Sequence, residues 1–458
     1  MARIGFFADD LTGAADVLAQ AHARGLEAML VLDPTRAIPR DADVVGIAGP
    51  ARSLSGRELD EAIRSSLAPL AALSPTVLIY KVCSTFDSSP TVGSIGRAIE
   101  LLHEAFPAHG PIPVVPAQPG FGRYTAFSQH FGVHGGQAHR LDRHPVMSRH
   151  PATPMSEADL RLVLSTQLSD GAVPPAIHLP AYGDGSFMDR WDELSGGDAA
   201  AFVLDAVEEA HLDRVADALW RSHPSQSPAL VVGSGGIMAA LARTAGSRTA
   251  PEATPMASGG PTLVVSASAS ATTAEQIDDA VAAGWADVAI PPEALVAAAP
   301  GTAPEGAWVE AVTAALRSGR DVVAHTTRGP SDPRLDAGRS RSAAQVGGTI
   351  GRLAGTMARQ GLTRDVVICG GDTSSHALLA LRVRELRVRD QFVVAGPVCA
   401  TDEDSDVAGC RLLLKGGQVG GSDLFRRFAG HVREPHAGAG SAAGPTPDTA
   451  THAAERTS

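Results

Sequence analysis

Two adjacent carboxylates stand near the amino terminus, in the segment ADDLTGAAD. Asp9 and Asp10 follow the apolar run Ile4–Ala8, and in open α/β sheets ligands bind at the carboxyl ends of strands. A carboxylate pair at such a place could accept a proton from a substrate hydroxyl or hold Mg²⁺. The structural alternative makes Thr12 the N-cap of the next helix, with one aspartate favoured by the helix N-terminus. That alternative accounts for one carboxylate and not for two, so we predict a catalytic role for at least one.

Both lysines of the chain open segments of a similar kind. Among 38 lysine and arginine residues only two are lysine, Lys81 in KVCSTFDSS and Lys415 in KGGQVGG, and each follows an apolar run. Lysine is a compact point charge on a thin stem, which suits a phosphate or a substrate oxygen in a narrow site. Codon bias could leave two lysines by chance, but strand ends rich in glycine or serine recur at anion sites. We therefore predict that both lysines line binding loops.

Hydroxyl and guanidinium groups follow two further predicted strands of the first half. Ser84 and Thr85 lie close to Lys81, with Asp87 among the hydroxyls, and this loop could bind a small carboxylate or polyol. A serine-rich turn is the alternative. Arg123, in PAQPGFGRYT, could pair with a carboxylate through two parallel N–H groups. Together these residues make a candidate substrate site.

The histidine-rich segment HRLDRHPVMSRHPATPM does not predict a metal site. Its spacing and its prolines do not fit a helical HxxxH pair. The four cysteines form no CxxC pair, which disfavours zinc or a disulfide framework. His150, just before Pro151, could instead hydrogen-bond a substrate, and we assign no metal ligands.

Three small-residue segments of the second half each stand where a strand is predicted to end. Backbone N–H groups of such turns bind anions, so three of them in one domain indicate an anion or nucleotide pocket. Neither GxGxxG nor GxxxxGK[ST] occurs, since GSGGIM has Met238 in place of the last glycine. The candidate residues are Ser266, Ser268 and Ser270 in VVSASASATT, Gly370, Gly371, Asp372 and Thr373 in ICGGDTSSHALLAL, and Lys415 and Gly417 in KGGQVGG.

The elements that would position these residues alternate between short apolar runs and alanine-rich amphipathic stretches. This alternation is typical of βαβ units in a mostly parallel sheet flanked by helices. The predicted strands are Ile4–Ala8, Ala28–Leu32, Val44–Ala48, Val77–Lys81, Pro113–Pro116, Leu230–Val232, Thr262–Val265, Val288–Ile290, Val322–His325 and Val366–Cys369. The predicted helices are Ala14–Arg24, Gly56–Leu73, Thr273–Ala283 and Thr373–Leu381.

Length and composition predict two α/β domains. A chain of 458 residues is too long for one ordinary core, and proline, serine and glycine cluster around residues 222–262. We predict a first domain at 1–225, a boundary region at 226–261 and a second domain at 262–430. Residues 431–458 are too poor in apolar groups to order themselves and are predicted to be a disordered tail.

Charge and hydropathy argue against several classes of partner. The net charge of −12 disfavours nucleic acid. No apolar stretch approaches the length of a membrane span, and MARIGFFADD does not read as a signal peptide. We expect a cytoplasmic enzyme acting on a small molecule, and we leave open whether it is a homodimer.

Three of these segments resemble a known family. ADDLTGAAD, GGDT and KGGQVG are similar to the four-carbon acid sugar kinase family, which has no P-loop. The resemblance extends over nearly the whole chain, up to about residue 430. YKVCSTFDSSPTVGSIGRAI, GRYT and RHPATPM are most similar to its 3-oxo-tetronate kinase branch.

The resemblance implies an N-terminal domain that binds the sugar acid, a C-terminal domain that binds ATP, and an active site in the cleft between them. The γ-phosphate of ATP would pass to the terminal 4-hydroxyl, with Asp10 or Asp9 as the base and Mg²⁺ bridging the ATP phosphates. The residues implied for the sugar acid are Asp9, Asp10, Lys81, Ser84, Thr85, Arg123 and His150, and those implied for the nucleotide are one or more of Ser266, Ser268 and Ser270, then Gly370 to Thr373 and Gly417. Lys415 could face phosphate or cap a helix.

The loop departs from the pattern KxDSTxRG, in which many relatives carry an aspartate and an arginine, at Cys83 and in the stretch Phe86-Asp87-Ser88. The change fits the oxo-acid branch, and it argues against carrying over the substrate contacts of threonate kinases directly. D-Threonate or D-erythronate kinase remains the alternative within the class. A nicotinamide-dependent sugar-acid dehydrogenase, which the absent GxGxxG disfavours, and a non-catalytic sugar-acid sensor are the alternatives from other classes.

Overall fold

The computed structural model describes residues 3–35, 38–150, 153–222, 228–245, 260–335, 341–393 and 395–430. Within these ranges, no helix is long and apolar enough to cross a membrane. The predicted tail at 431–458 lies outside the described residues.

Strands and helices alternate along most of the chain. The N-terminal half contains β1 (Ile4–Ala8), α1 (Leu11–His22), β2 (Ala28–Val31), β3 (Val44–Ala48), α2 (Gly56–Ala71), β4 (Val77–Lys81), α3 (Ile95–Ala105), β5 (Ile112–Val115), β6 (Arg123–Ala126), β7 (Gln129–His134), β8 (Gln137–Arg140), α4 (Leu160–Ser165), β9 (Ala176–Ile177), α5 (Pro180–Gly183), α6 (Phe187–Ser195), β10 (Ala201–Leu204), α7 (Glu209–Arg221), β11 (Ala229–Gly233) and α8 (Gly235–Thr244). The C-terminal half contains β12 (Thr262–Ser266), α9 (Ala271–Ala282), β13 (Ala286–Ala289), α10 (Ala307–Arg317), β14 (Val322–His325), α11 (Ala343–Arg359), β15 (Asp365–Cys369), α12 (Asp372–Ala380), β16 (Glu385–Val393), β17 (Gly396–Thr401), β18 (Arg411–Lys415) and α13 (Leu424–Gly430).

Within the described ranges, fifteen strands form one hydrogen-bonded sheet, in the order β13-β14-β12-β15-β18-β17-β16-β2-β3-β1-β4-β11-β5-β10-β9. Inner strands of the two parallel parts, such as β1, β4 and β12, are buried on both faces, which is why they read as continuous apolar runs in the sequence. Their register aligns the strand ends that carry the motifs. Ala8 pairs with Lys81 in the first half, and Ser266 and Lys415 both pair with Cys369 in the second.

An antiparallel hairpin joins the two parallel parts of the sheet. β16 pairs with β2 through Leu386 and Leu30, and β17 continues the pairing to β18. Beside this joint, Arg387 donates to both carboxylate oxygens of Asp41, at 3.0 and 3.1 Å. The two halves are therefore connected through backbone hydrogen bonds as well as through the chain.

Helix α1 is almost wholly buried because it lies between the halves. It packs against β1, β2 and β3 on one side and against β16, β17, β18 and α12 on the other. A helix that is apolar nearly all round is suited to such a position. The N-terminus of α1, where Asp9 and Asp10 lie, is consequently held against both halves.

The expected fold class is confirmed: a large, mostly parallel sheet is flanked by helices. The predicted strands and helices are present, with ends that differ by a few residues. The boundary region predicted at 226–261 contains β11 and α8, and β11 lies inside the N-terminal sheet between β4 and β5. The limits of the domains remain predictions.

Two antiparallel features were not predicted. The three-stranded sheet β6-β7-β8 and the hairpin β16-β17 are both built from strands in which apolar residues mix with charged or polar ones. Such strands are stabilised by their tertiary neighbours, so their sequences carry a weak signal.

Candidate active site

Asp10 is the N-cap of α1. Its Oδ1 accepts a hydrogen bond from the Gly13 amide at 2.6 Å, and its Oδ2 accepts one from Arg52 Nη1 at 3.1 Å. Both carboxylate oxygens are thus engaged by the protein. The alternative of Thr12 as N-cap is wrong, because Asp10 already caps the amide that begins the helix.

Asp9 is the contrasting member of the pair. Its side chain is buried, and its Oδ1 has no hydrogen-bond partner among the described residues. Burial and the neighbouring charge of Asp10 raise the pKa of Asp9 to about 7, although Lys81 and Arg52 act in the opposite direction. A carboxylate with this pKa and a vacant oxygen is suited to accept a proton near neutral pH.

Lys81 ends β4 with its ammonium group beside the start of α1. A Cβ atom at Gly13 would lie 2.2 Å from Lys81 Nζ, so glycine at this position is what allows the close approach. The residue is only 3% exposed. Across the described ranges, its ammonium group forms no hydrogen bond and no ion pair within 4 Å, which leaves its donors available to a ligand.

Arg52 is a charged residue of the site that the sequence analysis missed. It follows β3 in a short 3₁₀ turn, and its guanidinium donates to Asp87 Oδ1 at 2.6 Å while Nη1 reaches Asp10. Burial alone would raise the pKa of Asp87, but Arg52 and hydrogen bonds from Arg52 and Thr85 lower it below its usual value. The position of Arg52 beyond the end of β3, the neighbour of β1, is the signal that could have identified it.

The loop after β4 gathers the predicted hydroxyl groups around the same ion pair. Thr85 Oγ1 hydrogen-bonds the Asp87 carboxylate and lies 3.0 Å from Cys83 Sγ. His150 Nδ1 lies 2.9 Å from Thr153 Oγ1, which in turn lies 3.4 Å from Asp87 Oδ2. Thr85 and His150 therefore belong to one network with Arg52.

Ser84 is placed by the small antiparallel sheet. His130, on β7, donates from Nε2 to the Ser84 carbonyl at 2.7 Å and lies 2.8 Å from Thr125 Oγ1 through Nδ1. Burial lowers the pKa of His130 to about 4, so this imidazole is neutral at physiological pH. The loop after β4 is thus held from two sides.

Arg123 is not paired with a carboxylate among the described residues. Its Nη1 donates to the carbonyls of Phe121 and Gly122, at 3.0 and 3.3 Å, and its Nε is buried without a partner. The side chain therefore retains hydrogen-bonding capacity that the protein does not use.

In the C-terminal half, the serine segment and the KGGQVGG loop are tied together. Ser270 caps α9 by accepting from the Thr273 amide at 3.1 Å, and the Thr273 hydroxyl donates to the Gly417 carbonyl at 3.0 Å. Lys415 Nζ reaches the Thr273 hydroxyl at 3.0 Å. Burial lowers the pKa of Lys415, and its ammonium lies 5.9 Å from the centre of the Phe425 ring.

The glycine-rich loops approach one another too closely for side chains. A Cβ atom at Gly417 would lie 2.8 Å from Ser268 Oγ, and one at Gly370 would lie 2.3 Å from Thr373 Oγ1. The Gly370 amide donates to the Lys415 carbonyl at 3.2 Å, and nothing lies within 4 Å of a Cβ at Gly371. The side chain of Asp372 lies outside what the structure describes. The loops after β12, β15 and β18 thus form one backbone-lined cradle with Ser266 at its base.

The cradle reaches the aspartate loop of the other half. A Cβ atom at Gly416 would lie 2.9 Å from Thr12 Cγ2, in the first turn of α1. This contact brings the predicted nucleotide side next to Asp9 and Asp10. The described residues contain no group of three or more histidine, cysteine or acidic side chains that could hold a metal ion.

The segment GSGGIM has a packing role. Ser234 caps α8, and a Cβ at Gly235 would lie 2.1 Å from an oxygen of Asp16, a buried carboxylate of α1. The Gln118 amide donates to that carboxylate at 3.0 Å. Asp16 was also missed by the sequence analysis, and here its partners are structural.

Family comparisons match both halves of the chain. Residues 4–241 match a family described as a sugar-binding N-terminal domain, and residues 263–425 match one described as a nucleotide-binding C-terminal domain. The 3-oxo-isoapionate kinase of Paraburkholderia graminis is 33% identical, over 94% of this chain and 94% of that protein. The 3-oxo-tetronate kinase of Pseudomonas fluorescens is 30% identical, over 94% of this chain and 97% of that protein.

Solved structures share the fold. A Salmonella typhimurium protein described as a putative tRNA synthase superposes with a TM-score of 0.76 at 23% identity, over 93% of this chain and 98% of that one. A Haemophilus influenzae protein from a family of unknown function gives a TM-score of 0.70 at 21% identity, over 93% and 99%. At these identities the likeness concerns the fold alone.

The two matched domains agree with the two halves of the site. The acid-lined half contains Asp9, Asp10 and Lys81, and the glycine-lined half is the cradle formed by the loops after β12, β15 and β18. The matches argue against the two alternatives from other classes, the dehydrogenase and the non-catalytic sensor, because the named relatives are kinases. The chain belongs to the four-carbon acid sugar kinase family, and it is a sugar-acid kinase with a nucleotide-binding C-terminal domain.

Proposed function

We propose that the protein transfers the γ-phosphoryl group of ATP to the 4-hydroxyl of a 3-oxo-tetronate. The observation that carries this proposal is the buried Asp9 carboxylate, whose Oδ1 has no hydrogen-bond partner in the described part of the chain. It lies beside the buried Lys81 and next to the glycine-lined cradle. A sugar acid needs a base for its hydroxyl and cations for its carboxylate and carbonyl oxygens, and this half of the site offers both.

Asp9 acts as the base and Asp10 as its electrostatic partner. Asp10 has both oxygens committed to Gly13 and Arg52, whereas Asp9 has an oxygen available to the substrate hydroxyl. Lys81 and Arg123 bind the carboxylate and carbonyl end of the acid. Ser84, Thr85 and His150 shape the same pocket through the Arg52–Asp87 ion pair.

The cradle after β12, β15 and β18 fits the phosphates of ATP. Its glycines expose backbone where any Cβ would collide with Ser268 or Thr373, and such backbone-lined concavities bind phosphate oxygens. Ser266, Ser268, Ser270, Gly370, Gly371, Asp372, Thr373, Lys415 and Gly417 are the residues proposed for the nucleotide. Mg²⁺ would neutralise charge on the phosphates during transfer, as in other phosphoryl transfers.

A 3-oxo-isoapionate is a second candidate substrate. The relative from Paraburkholderia graminis carries that activity in its name and is 33% identical over 94% of this chain. Cys83 stands where the pattern KxDSTxRG has an aspartate, so the substrate loop carries a thiol in place of a carboxyl group. D-Threonate and D-erythronate remain the alternatives without an oxo group.

The test is a coupled ADP-release assay with Mg²⁺-ATP over 3-oxo-tetronates, 3-oxo-isoapionate, D-threonate and D-erythronate. We expect the highest kcat/KM with a 3-oxo-tetronate, and Asp9→Asn serves as the inactive control. A preference for 3-oxo-isoapionate or for a hydroxy acid would keep the kinase and change its substrate. No ADP release with any acid would overturn the proposed reaction.

A further inference from the structure

One side of α9 holds the backbone of the loop that follows β18. Ser270 is the N-cap of this helix, and Thr273 and Gln276 follow at intervals of three residues, so the three side chains lie on the same side of the helix. The hydroxyls of Ser270 and Thr273 both donate to the Gly417 carbonyl. The first carbonyl of the loop is therefore directed toward α9.

Gln276 extends this attachment along the loop. Its side chain is fully buried, and Nε2 lies 3.0, 3.3 and 2.9 Å from three successive carbonyl oxygens, those of Val419, Gly420 and Gly421. Only the NH₂ end of an amide can face three acceptors, so Oε1 faces the other way. Oε1 is buried there without a hydrogen-bond partner among the described residues, and such an acceptor costs stability. Stability alone therefore does not explain this side chain.

The attachment to α9 also fixes the direction of the N–H groups of the loop. In a trans peptide unit the N–H points opposite to the carbonyl of the same unit. Because four carbonyls are directed toward α9, the N–H groups that follow them in the chain are directed away from it. None of these four has an acceptor in the part of the chain that the structure describes. They belong to Gln418, Gly420, Gly421 and Ser422.

The side away from α9 is the side of the candidate active site. α9 packs on one face of the second parallel part of the sheet, to which β18 contributes Leu413. α1 and α12 pack on the opposite face, to which β18 contributes Leu412 and Leu414. The N-termini of these two helices carry the paired aspartates and the Gly370–Thr373 loop. The four N–H groups are thus directed to the side of the sheet where both of these N-termini lie.

A buried cation lies at the start of the same loop. Lys415 is only 2% exposed, and its ammonium lies 3.0 Å from the neutral Thr273 hydroxyl. Within the described ranges, no carboxylate is paired with it. A buried positive charge is stabilised by an anion, and the N–H groups of the loop are donors for the same anion.

We propose that Gln276 is a positioning residue for the nucleotide: by holding three carbonyls of the loop against α9, it directs the N–H groups of Gly420, Gly421 and Ser422 toward the phosphate groups of ATP. The hydroxyls at the start of α9 do the same for the first of the four N–H groups. The inference rests on the proposed kinase function. It adds to that function a residue that touches no ligand and the backbone atoms that bind phosphate.

Two substitutions of Gln276 separate orientation of the loop from packing. Gln276→Met keeps the length of the side chain and removes the donors, whereas Gln276→Glu keeps its shape and replaces the donors by an oxygen that repels the carbonyls. We expect KM for ATP to rise about tenfold in Gln276→Met and further in Gln276→Glu, with KM for the acid unchanged in both. If Gln276→Glu were the milder change, packing would be the role of this residue and the inference would be overturned.

Ligands with and without phosphate test what the loop binds. In calorimetric titrations, ADP should bind Gln276→Met about tenfold more weakly than it binds the unmodified protein. Adenosine has no phosphate and should bind both proteins equally. An equal loss of affinity for adenosine would assign the loop to the base or the ribose, which contradicts the inference.

Thr363→Val is the matched control for stability. Thr363 is buried in the same half, and its hydroxyl donates to the Pro261 carbonyl at 2.7 Å, but it lies before β15, at the edge of the sheet opposite to the site. The variant should lower the melting temperature and leave KM for ATP unchanged. A tenfold rise in KM for ATP here would show that lost stability alone weakens nucleotide binding, and the inference would fall.

The outcomes distinguish the inference from the function beneath it. If the unmodified protein phosphorylates none of the acids, the proposed function fails, while the ADP titrations still test Gln276. If the protein is a kinase and both Gln276 variants bind ADP as the unmodified protein does, the inference fails and the proposed function stands.

Discussion

At the scale of single residues, the site depends on two neighbouring aspartates that the fold makes different. Asp10 is held by the first turn of α1 and by Arg52, because its two carboxylate oxygens accept hydrogen bonds from the Gly13 amide and from the Arg52 guanidinium. Asp9 is buried next to Asp10, and its Oδ1 has no hydrogen-bond partner among the residues that the structure describes. Burial and like charge thus raise the pKa of one of two identical side chains, which supports the proposal that Asp9 is the base.

Substitution of each aspartate should separate the two roles. Asp9→Asn removes the base and is expected to lower kcat roughly 10²–10⁴-fold while ATP still binds. Asp10→Asn retains an oxygen that can cap α1 and loses only the charge beside Arg52, so we expect a decrease of about tenfold. Steady-state kinetics and calorimetric ATP titrations measure both. Equal losses in the two variants would contradict the division of roles.

The pKa of Asp9 predicts the pH dependence of the reaction. Since burial and Asp10 raise that pKa to about 7, kcat/KM for the acid should fall tenfold per pH unit below about 7, where the carboxyl is protonated and cannot accept a proton. The charge of Asp10 contributes to the raised pKa, so Asp10→Asn should move this limb of the profile to lower pH. A limb that stays in place in Asp10→Asn would show that another group titrates.

At the scale of elements, chemistry is concentrated where parallel strands end. β1, β3 and β4 deliver Asp9, Arg52 and Lys81 to one edge, and β12, β15 and β18 deliver three loops to the corresponding edge of the other half. In the loops after β12, β15 and β18, backbone atoms lie directly against serine and threonine hydroxyl groups. Glycine is required at these contacts because a Cβ atom would collide with the hydroxyls. Small changes in these loops should therefore affect the nucleotide selectively.

Gly417→Ala tests this packing. Its Cβ would lie 2.8 Å from Ser268 Oγ and 3.2 Å from Ser270 Cβ, so the two loops must separate. We expect KM for ATP to rise by about tenfold with KM for the acid unchanged. Gly183→Ala is the control, because nothing lies within 4 Å of a Cβ there. An equal rise in both KM values would show that the change spreads beyond the nucleotide loops.

At the scale of the whole molecule, one helix and one hairpin fix the halves relative to each other. α1 is buried between them, β16 pairs with β2 across the joint, and Gly416 meets Thr12 at the site itself. The acid-lined and glycine-lined halves are therefore adjacent because the sheet is continuous. This arrangement suits a transfer between two substrates that must be excluded from water together.

A pair of substitutions can measure the contact between the halves. Gly416→Ala would place a methyl 2.9 Å from Thr12 Cγ2 and should lower kcat, because it pushes the nucleotide loop away from α1. Thr12→Ser deletes that Cγ2 atom, so the double variant should regain most of the lost activity. The measurement is a double-mutant cycle on kcat. Additive effects would mean that the two residues do not meet in the working enzyme.

How much the sequence revealed depended on whether a feature was local. The apolar runs predicted the parallel strands, because buried parallel strands leave a continuous apolar signature. The positions of Asp9, Lys81 and Lys415 after or at the end of such runs predicted that they lie at the carboxyl ends of the strands. Arg52 escaped notice because arginine is common in this chain, and only the pairing of β3 with β1 brings it to Asp10.

The sequence by itself determined the fold class, the family and the location of the glycine and aspartate loops, since each is written in contiguous residues with a fixed spacing. The tertiary structure decided which aspartate is free, which arginine holds the other, and where the halves meet. Those properties depend on burial and on contacts between residues far apart in the chain, such as Arg52 with Asp87 and Thr12 with Gly416. Burial and long-range contacts determine the pKa values of buried groups and which polar atoms lack a partner. These properties cannot be worked out from the residues adjacent in sequence.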